Sequence, residues 1–236
     1  MSNLRPVAYC DGDSQLTGWL AFPNGPARAA IVVFPTIMNV TPAVERRADM
    51  LAQAGYLAMI ADFYGAPVES FETAGQLAQD LRQDAAVYRR RIASAVATLR
   101  AQPEAAARPM AAIGYCMGGQ AALEAARDGA DLAAVVSFHG LLNTERPAEP
   151  GAIKARILVC HGDADPMATR DAVNAFWHEM DEAGADWHFH SYSGVRHGFT
   201  DPASDARGVP AIGYDASADR QSWAAMLSLF DEVFDT

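Results

Sequence analysis

Half of the 236 residues are hydrophobic and a fifth are charged, so the chain can bury a large core and is expected to form one α/β domain over residues 1–236. The 18 Lys and Arg against 29 Asp and Glu leave a formal net charge of −11; with no basic run, a nucleic-acid partner is not expected. Three cysteines without CxxC spacing argue against a disulfide framework or a structural zinc site. The opening MSNLRPVAYCDGD lacks the apolar stretch of a secretion signal and no apolar run is long enough to span a bilayer, so the expectation is a cytoplasmic protein with no membrane association.

Val7 to Phe22 reads as two short strands joined through Asp11-Gly12, an antiparallel opening. AIVVFP, from Ala30 to Pro35, is an apolar β-branched run that fits a buried strand. Pro42 to Ala54 has helical spacing and stops at Gly55, a natural cap. YLAMIADF is the next strand, and a long helical region from about Glu69 to Gln102 follows, broken once. Met110 to Tyr115 is a strand and Met117 to Arg127 a helix.

LAAVVSFHG and RILVCHG give two more buried strands. Asp171 to Gly184 is a helix, Trp187 to Tyr192 a strand, and Ser217 to Phe234 a closing helix. Continuous apolar strands alternating with helices imply a mostly parallel sheet covered on both faces, with an antiparallel N-terminal edge. In such sheets the functional residues collect at the carboxyl ends of strands. The polar stretch Thr200 to Asp215, with its Pro and Gly, is the one long loop expected near a site.

Gly114-Tyr115-Cys116-Met117-Gly118-Gly119 joins a strand to a helix and has the form of a nucleophile elbow with Cys in place of Ser. A tight turn lifts the side chain above the sheet, and small neighbours let strand and helix approach. The helix N-terminus favours a thiolate and leaves the Met117 N–H free to bind an oxyanion. The competing reading is a buried structural cysteine. Downstream, HGDADP ends one strand and supplies Asp163 and Asp165, and RHGF follows another and supplies His197. The order nucleophile, acid, histidine suits this type of sheet.

The segments VVFPTIMNVTP, ADFYG, GYCMGG, HGDADP, HGF and GYDASADRQSW together resemble the dienelactone hydrolase family, of the α/β-hydrolase superfamily, over nearly the whole chain. That resemblance implies the α/β-hydrolase fold, with Cys116 as nucleophile, Asp165 rather than Asp163 as acid and His197 as base. It implies backbone N–H groups of Ile37 and Met117 as the oxyanion hole. It further implies a carboxymethylenebutenolidase-like hydrolase acting on a small-molecule ester or lactone through an acyl-thioester, with no cofactor and no metal. The chain departs from the family pattern at Thr36, where a glutamate is expected, and at Thr200 and Asp201, near an expected arginine. Arg82 falls where a second arginine could lie, and otherwise reads as a solvated helix residue.

Thr36, Tyr64, His139 and Phe199 are candidates for the substrate pocket. His161 reads as scaffold. His188 and His190 alternate on one strand face without a third ligand at metal spacing. Cys10 and Cys160 read as small hydrophobes, and Arg89-Arg90-Arg91 as a solvated helix face paired with Asp84 or Asp80. Two other functions fit the same chain: a non-hydrolytic member that binds a small molecule or partner, and a thiol redox sensor.

Overall fold

The computed structural model describes residues 4–234. Eight strands form one sheet: β1 (Arg5–Asp11), β2 (Ser14–Ala21), β3 (Ala30–Phe34), β4 (Leu57–Ile60), β5 (Met110–Tyr115), β6 (Ala134–Phe138), β7 (Arg156–Gly162) and β8 (Trp187–Tyr192). Their spatial order is β1-β2-β4-β3-β5-β6-β7-β8. β1 and β2 pair antiparallel, as do β2 and β4, and every other neighbouring pair is parallel. Every residue of β3, β4, β5 and β6 is buried, which is why these strands read as unbroken apolar runs instead of alternating ones.

Six α-helices cover the sheet: α1 (Pro42–Gln53), α2 (Phe71–Gln83), α3 (Ala85–Arg100), α4 (Met117–Arg127), α5 (Arg170–Glu182) and α6 (Ala216–Phe234). Odd and even strand positions feed two separate cores. Ala30, Val32 and Phe34 pack with residues of α3, α4 and α5, while Ile31 and Val33 pack with α1 and α6 on the opposite face. Thr41 caps α1 and Thr169 caps α5 through their side-chain oxygens. The expected break in the long helical region falls at Asp84, whose carboxylate accepts the Ala86 and Val87 N–H groups and so starts α3 in a new direction.

The arginine triplet departs from expectation. Only Arg90 of the three is exposed; Arg89 and Arg91 are buried. Arg89 pairs with Glu124 at 2.8 Å and Asp128 at 3.2 Å, and Arg91 pairs with Asp11 at 2.7 Å, an acid that Arg90 also contacts. Asp84 is spent on its cap, and Asp80 accepts from Gln76. Burying a guanidinium demands a carboxylate within reach, and α4 and β1 supply them. Cys10 also differs from the sequence reading, being exposed, whereas Cys160 is buried.

Candidate active site

Five strand ends converge at one edge of the sheet. β5 delivers Cys116, β7 leads to Asp165, β8 to His197, β3 to Thr36 and Ile37, and β6 to His139. Cys116 has φ 58° and ψ −121°, a left-handed conformation that side chains rarely adopt. The glycines beside it follow from distance: a Cβ on Gly114 would lie 1.8 Å from the Gly118 oxygen, and one on Gly118 would lie 2.1 Å from the Phe34 oxygen. Strand and helix can therefore meet at this corner only through hydrogen side chains.

His197 Nδ1 lies 2.7 Å from Asp165 Oδ2, with both side chains buried. The other oxygen of Asp165 accepts the Met167 N–H at 2.8 Å. Asp163, the rival acid, points elsewhere and forms a two-pronged pair with Arg170 at 2.9 and 2.7 Å. His197 Nε2 closes no hydrogen bond in the resting arrangement, yet imidazole and thiol are close enough to shift each other. Burial pushes the Cys116 thiol up, but the charge on the facing His197, and then the N–H groups of Met117 and Ile37, outweigh it and hold the thiol below its ordinary value. For His197, burial favours the neutral ring; the facing sulfur and the Asp165 carboxylate overcome this and raise it. Each group therefore favours the charged form of the other.

The loop bearing Ile37 is held by a small polar knot. Thr36 Oγ1 accepts the Met38 N–H at 3.2 Å, and Tyr64 Oη donates to the Ile37 carbonyl at 3.2 Å. Behind them, Asp62 Oδ1 accepts from Asn39 Nδ2, Tyr64 N and Gly65 N at 2.8 to 2.9 Å. Thr36 and His139 line the cavity, but Tyr64 and Phe199 do not. Tyr64 braces the loop from behind, and Phe199 is fully buried with its ring edge-on to His139.

His139 also faces the protein. Its Nδ1 accepts the Cys116 N–H at 3.1 Å, which places its proton on Nε2, 2.9 Å from Thr200 Oγ1. Burial, and then the charge on His197, keep this ring well below the usual histidine range, hence neutral. Sequence reasoning missed Arg47. This buried residue of α1 lines the cavity, pairs with Asp219 of α6 and donates to the Thr200 carbonyl at 3.0 Å. The partner lies 172 residues away in sequence, so no local pattern could have revealed it.

The cavity over Cys116 has a volume of about 190 Å³, small-molecule scale rather than polymer scale. Ile37, Val44, Phe71, Ala78, Leu141 and Met167 supply much of its apolar wall. Arg82, expected to be solvated, is half-buried and lines it. Asp201 lines it too, with its carboxylate paired to Arg207 at 3.1 Å, which offsets the bare negative charge expected there. The loop from Thr200 to Asp215 contributes Ser204 and Ile212 as well, as its position after His197 suggested.

No group of three or more His, Cys, Asp and Glu among the described residues could hold a metal ion; His188 and His190 are exposed on β8. His161 is buried against the Phe189 ring. Cys160 is buried in the sheet, its thiol pushed up to about 12 by burial. Cys10 lies on β1, four strands from β5, or roughly 19 Å at ordinary strand spacing. Neither is placed to resolve an oxidised Cys116. No helix among the described residues is long and apolar enough to cross a membrane.

An eight-stranded, mostly parallel sheet with Cys116, Asp165 and His197 following β5, β7 and β8 at one edge is the α/β-hydrolase fold. The model of the dienelactone hydrolase family matches residues 16–234, and the chain belongs to that family, among hydrolases of ester and lactone bonds. A solved structure named m3DLH is 40% identical, with 98% of each chain covered and a TM-score of 0.93. A dienelactone hydrolase-like promiscuous phosphotriesterase from metagenomic libraries is 37% identical, again with 98% of each chain covered and a TM-score of 0.93. A probable 2-oxo-3-(5-oxofuran-2-ylidene)propanoate lactonase of a Bradyrhizobium species is 29% identical over 209 residues, 83% of either chain.

Proposed function

We propose that the protein hydrolyses small carboxylic esters or lactones through a thioester on Cys116, with Asp165, His197 and the N–H groups of Ile37 and Met117 as its working parts. The observation that carries this reading is the buried Asp165–His197 contact of 2.7 Å at the sheet edge where Cys116 sits on its turn with φ 58°. His197, oriented by Asp165, takes the Cys116 proton through Nε2, and the thiolate attacks the carbonyl carbon. Charge moves to the carbonyl oxygen, which the two N–H groups receive. His197 then gives its proton to the departing alkoxide, and the thioester remains.

Neutral His197 next takes a proton from water through Nε2, and the resulting hydroxide attacks the thioester. When the second oxyanion collapses, the thiolate leaves and regains its proton from His197, and the acid departs. Asp165 keeps the ring oriented and stabilises its charged form throughout. In a lactone the alcohol stays tethered to the product acid. The probable lactonase activity of the Bradyrhizobium relative favours including cyclic esters.

Thr36 contributes a hydroxyl that shapes its own loop, not a carboxylate facing the sulfur. Thiolate formation is therefore assigned to His197 and the α4 N-terminus. The test is a panel of short open esters and five- or six-membered lactones followed by acid release. Turnover of at least one, lost by a factor of 10³ or more in Cys116→Ala (roughly the scale seen on removing a nucleophile), is the expected result. Undiminished turnover in that variant would refute the assignment.

A further inference from the structure

We propose that Gly75 sets the size of substrate this site accepts: α2 omits a side chain there so that a bulky apolar substituent of the ester or lactone can lie against the helix. The proposal rests on the hydrolase reading above and concerns its substrate class. Phe71, Gly75, Ala78 and Arg82 all line the cavity, at spacings of four, three and four residues, which places them along one stripe of the helix. α2 is thus a wall of the site, and Gly75 is the lowest point of that wall.

Folding gives no reason for glycine at this position. Glycine is the poorest helix-interior residue apart from proline, and it is normally kept where φ must be positive, where backbones come close, or at a cap. Gly75 is not among the positive-φ glycines. It lies inside a helix running from Phe71 to Gln83, away from either cap. A Cβ built on it meets no atom within 4 Å, in contrast with the 1.8 Å collision at Gly114. What the missing side chain leaves is open space, at a position that lines the cavity over Cys116.

The surroundings define what would fill it. Gly75 is on the open side of the cavity, one turn from Phe71, and Phe71 and Met167 are each 45% exposed although both line it. Large apolar side chains left this open are covered when an apolar group enters. Of the neighbouring charges, Arg207 is paired to Asp201, and Arg82 lies two turns further along α2 with its Nε donating to the Ala78 carbonyl at 3.1 Å. An uncharged branched or cyclic hydrocarbon group fits this stretch.

The experiment compares the parent with Gly75→Ala and Gly75→Leu on ethyl acetate, ethyl cyclohexanecarboxylate and cyclohexylmethyl acetate, reading acid release with a pH indicator. In Gly75→Leu the ratio of kcat/KM for at least one bulky ester over ethyl acetate is expected to fall about tenfold or more, mainly through KM, with Gly75→Ala between; a tenfold change is the usual scale of shape discrimination in an apolar pocket. Which bulky ester falls identifies whether the acyl or the alcohol side lies over α2. Gly75→Ala should also raise Tm by about 2–4 °C by helix propensity, so a folded protein is assured.

Both ratios staying within twofold of the parent in Gly75→Leu would overturn the proposal. If the parent hydrolyses none of the three, the open-ester part of the hydrolase reading has failed separately. The relative rate of Cys116 alkylation by N-cyclohexylmaleimide over iodoacetamide then decides: a fall in Gly75→Leu upholds the role of Gly75, and an unchanged ratio overturns it.

Discussion

Replacing His197 with alanine should cost Cys116 its thiolate, and the molecule supplies its own scale for the loss. Burial acts to raise the thiol, and the charge on His197 is the foremost influence that lowers it. Cys160, buried without such a partner, is pushed up to about 12. Without His197, Cys116 keeps the N-terminus of α4 and two N–H groups, and water enters the space left by the ring. If it merely returned to an ordinary thiol near 8.5, about 3% would be thiolate at pH 7, roughly 30-fold less than a fully ionised thiol. If burial dominated as at Cys160, the loss would approach ~10⁵-fold by the same titration. Alkylation by iodoacetamide at pH 7, read peptide by peptide, measures this directly, and exposed Cys10 serves as internal control. A fall of at least about 30-fold at Cys116, with Cys10 steady, is predicted. Alkylation of Cys116 within threefold of the parent would refute the claim that the imidazolium holds the thiolate.

The same ion pair makes stability depend on pH in a defined way. The lowered Cys116 value contributes stability that is lost as pH falls through the folded thiol's pKa, and the raised His197 value contributes stability lost as pH rises through about 10. Above the unfolded thiol value of about 8.5 the cysteine contributes no further change. Subtracting the urea stability of a Cys116→Ala/His197→Ala variant should therefore leave a difference that declines as pH rises from there through about 10; a difference that grows over that range would contradict the raised His197. Arg47→Met should cost about 3–5 kcal/mol, because it strands the buried Asp219 carboxylate, and lower Tm by about 6–20 °C. Adding Asp219→Leu should restore most of that, and no recovery in thermal melts would show that the pair is not what holds α1 to α6. Tyr64→Phe frees the Ile37 carbonyl from its 3.2 Å contact. It should lower kcat about tenfold with KM steady, less than the 10²–10³ of losing an oxyanion donor outright; an effect confined to KM would reassign Tyr64 to substrate binding.

What the sequence made legible follows from what is local. The unbroken apolar runs of β3, β5 and β7 announce a parallel sheet because both faces are covered, and Gly114, Gly118 and Gly119 announce the elbow because no other residue fits there. The break near the middle of the 69–102 region is legible for the same reason, since Asp84 caps its own neighbours. The long-range partners were not legible. Arg89 finds Glu124 35 residues away, Arg91 finds Asp11 80 away, and Arg47 finds Asp219 172 away. No spacing rule connects such pairs, so two of three arginines read as solvated are in fact core ion pairs.

Orientation was equally hidden. His139 and Phe199 both sit at the expected sheet edge, but His139 spends its ring nitrogens on Cys116 N–H and Thr200, and Phe199 packs behind that ring. Tyr64 lies beside the site and serves the Ile37 loop. Position at a strand end placed His139 and Tyr64 near the site, and adjacency to His197 placed Phe199 there, while the direction of each side chain depended on packing from other elements.

The central claim is that Cys116 carries the acyl group, and the most direct measurement is intact mass taken within seconds of mixing with p-nitrophenyl acetate, alongside phenolate release. The account predicts a burst and a transient gain of one acetyl group mapped to Cys116, absent in Cys116→Ala and slow to form in His197→Ala. Full-rate phenolate release from Cys116→Ala, or acetyl mapped to any other residue during turnover, would contradict it.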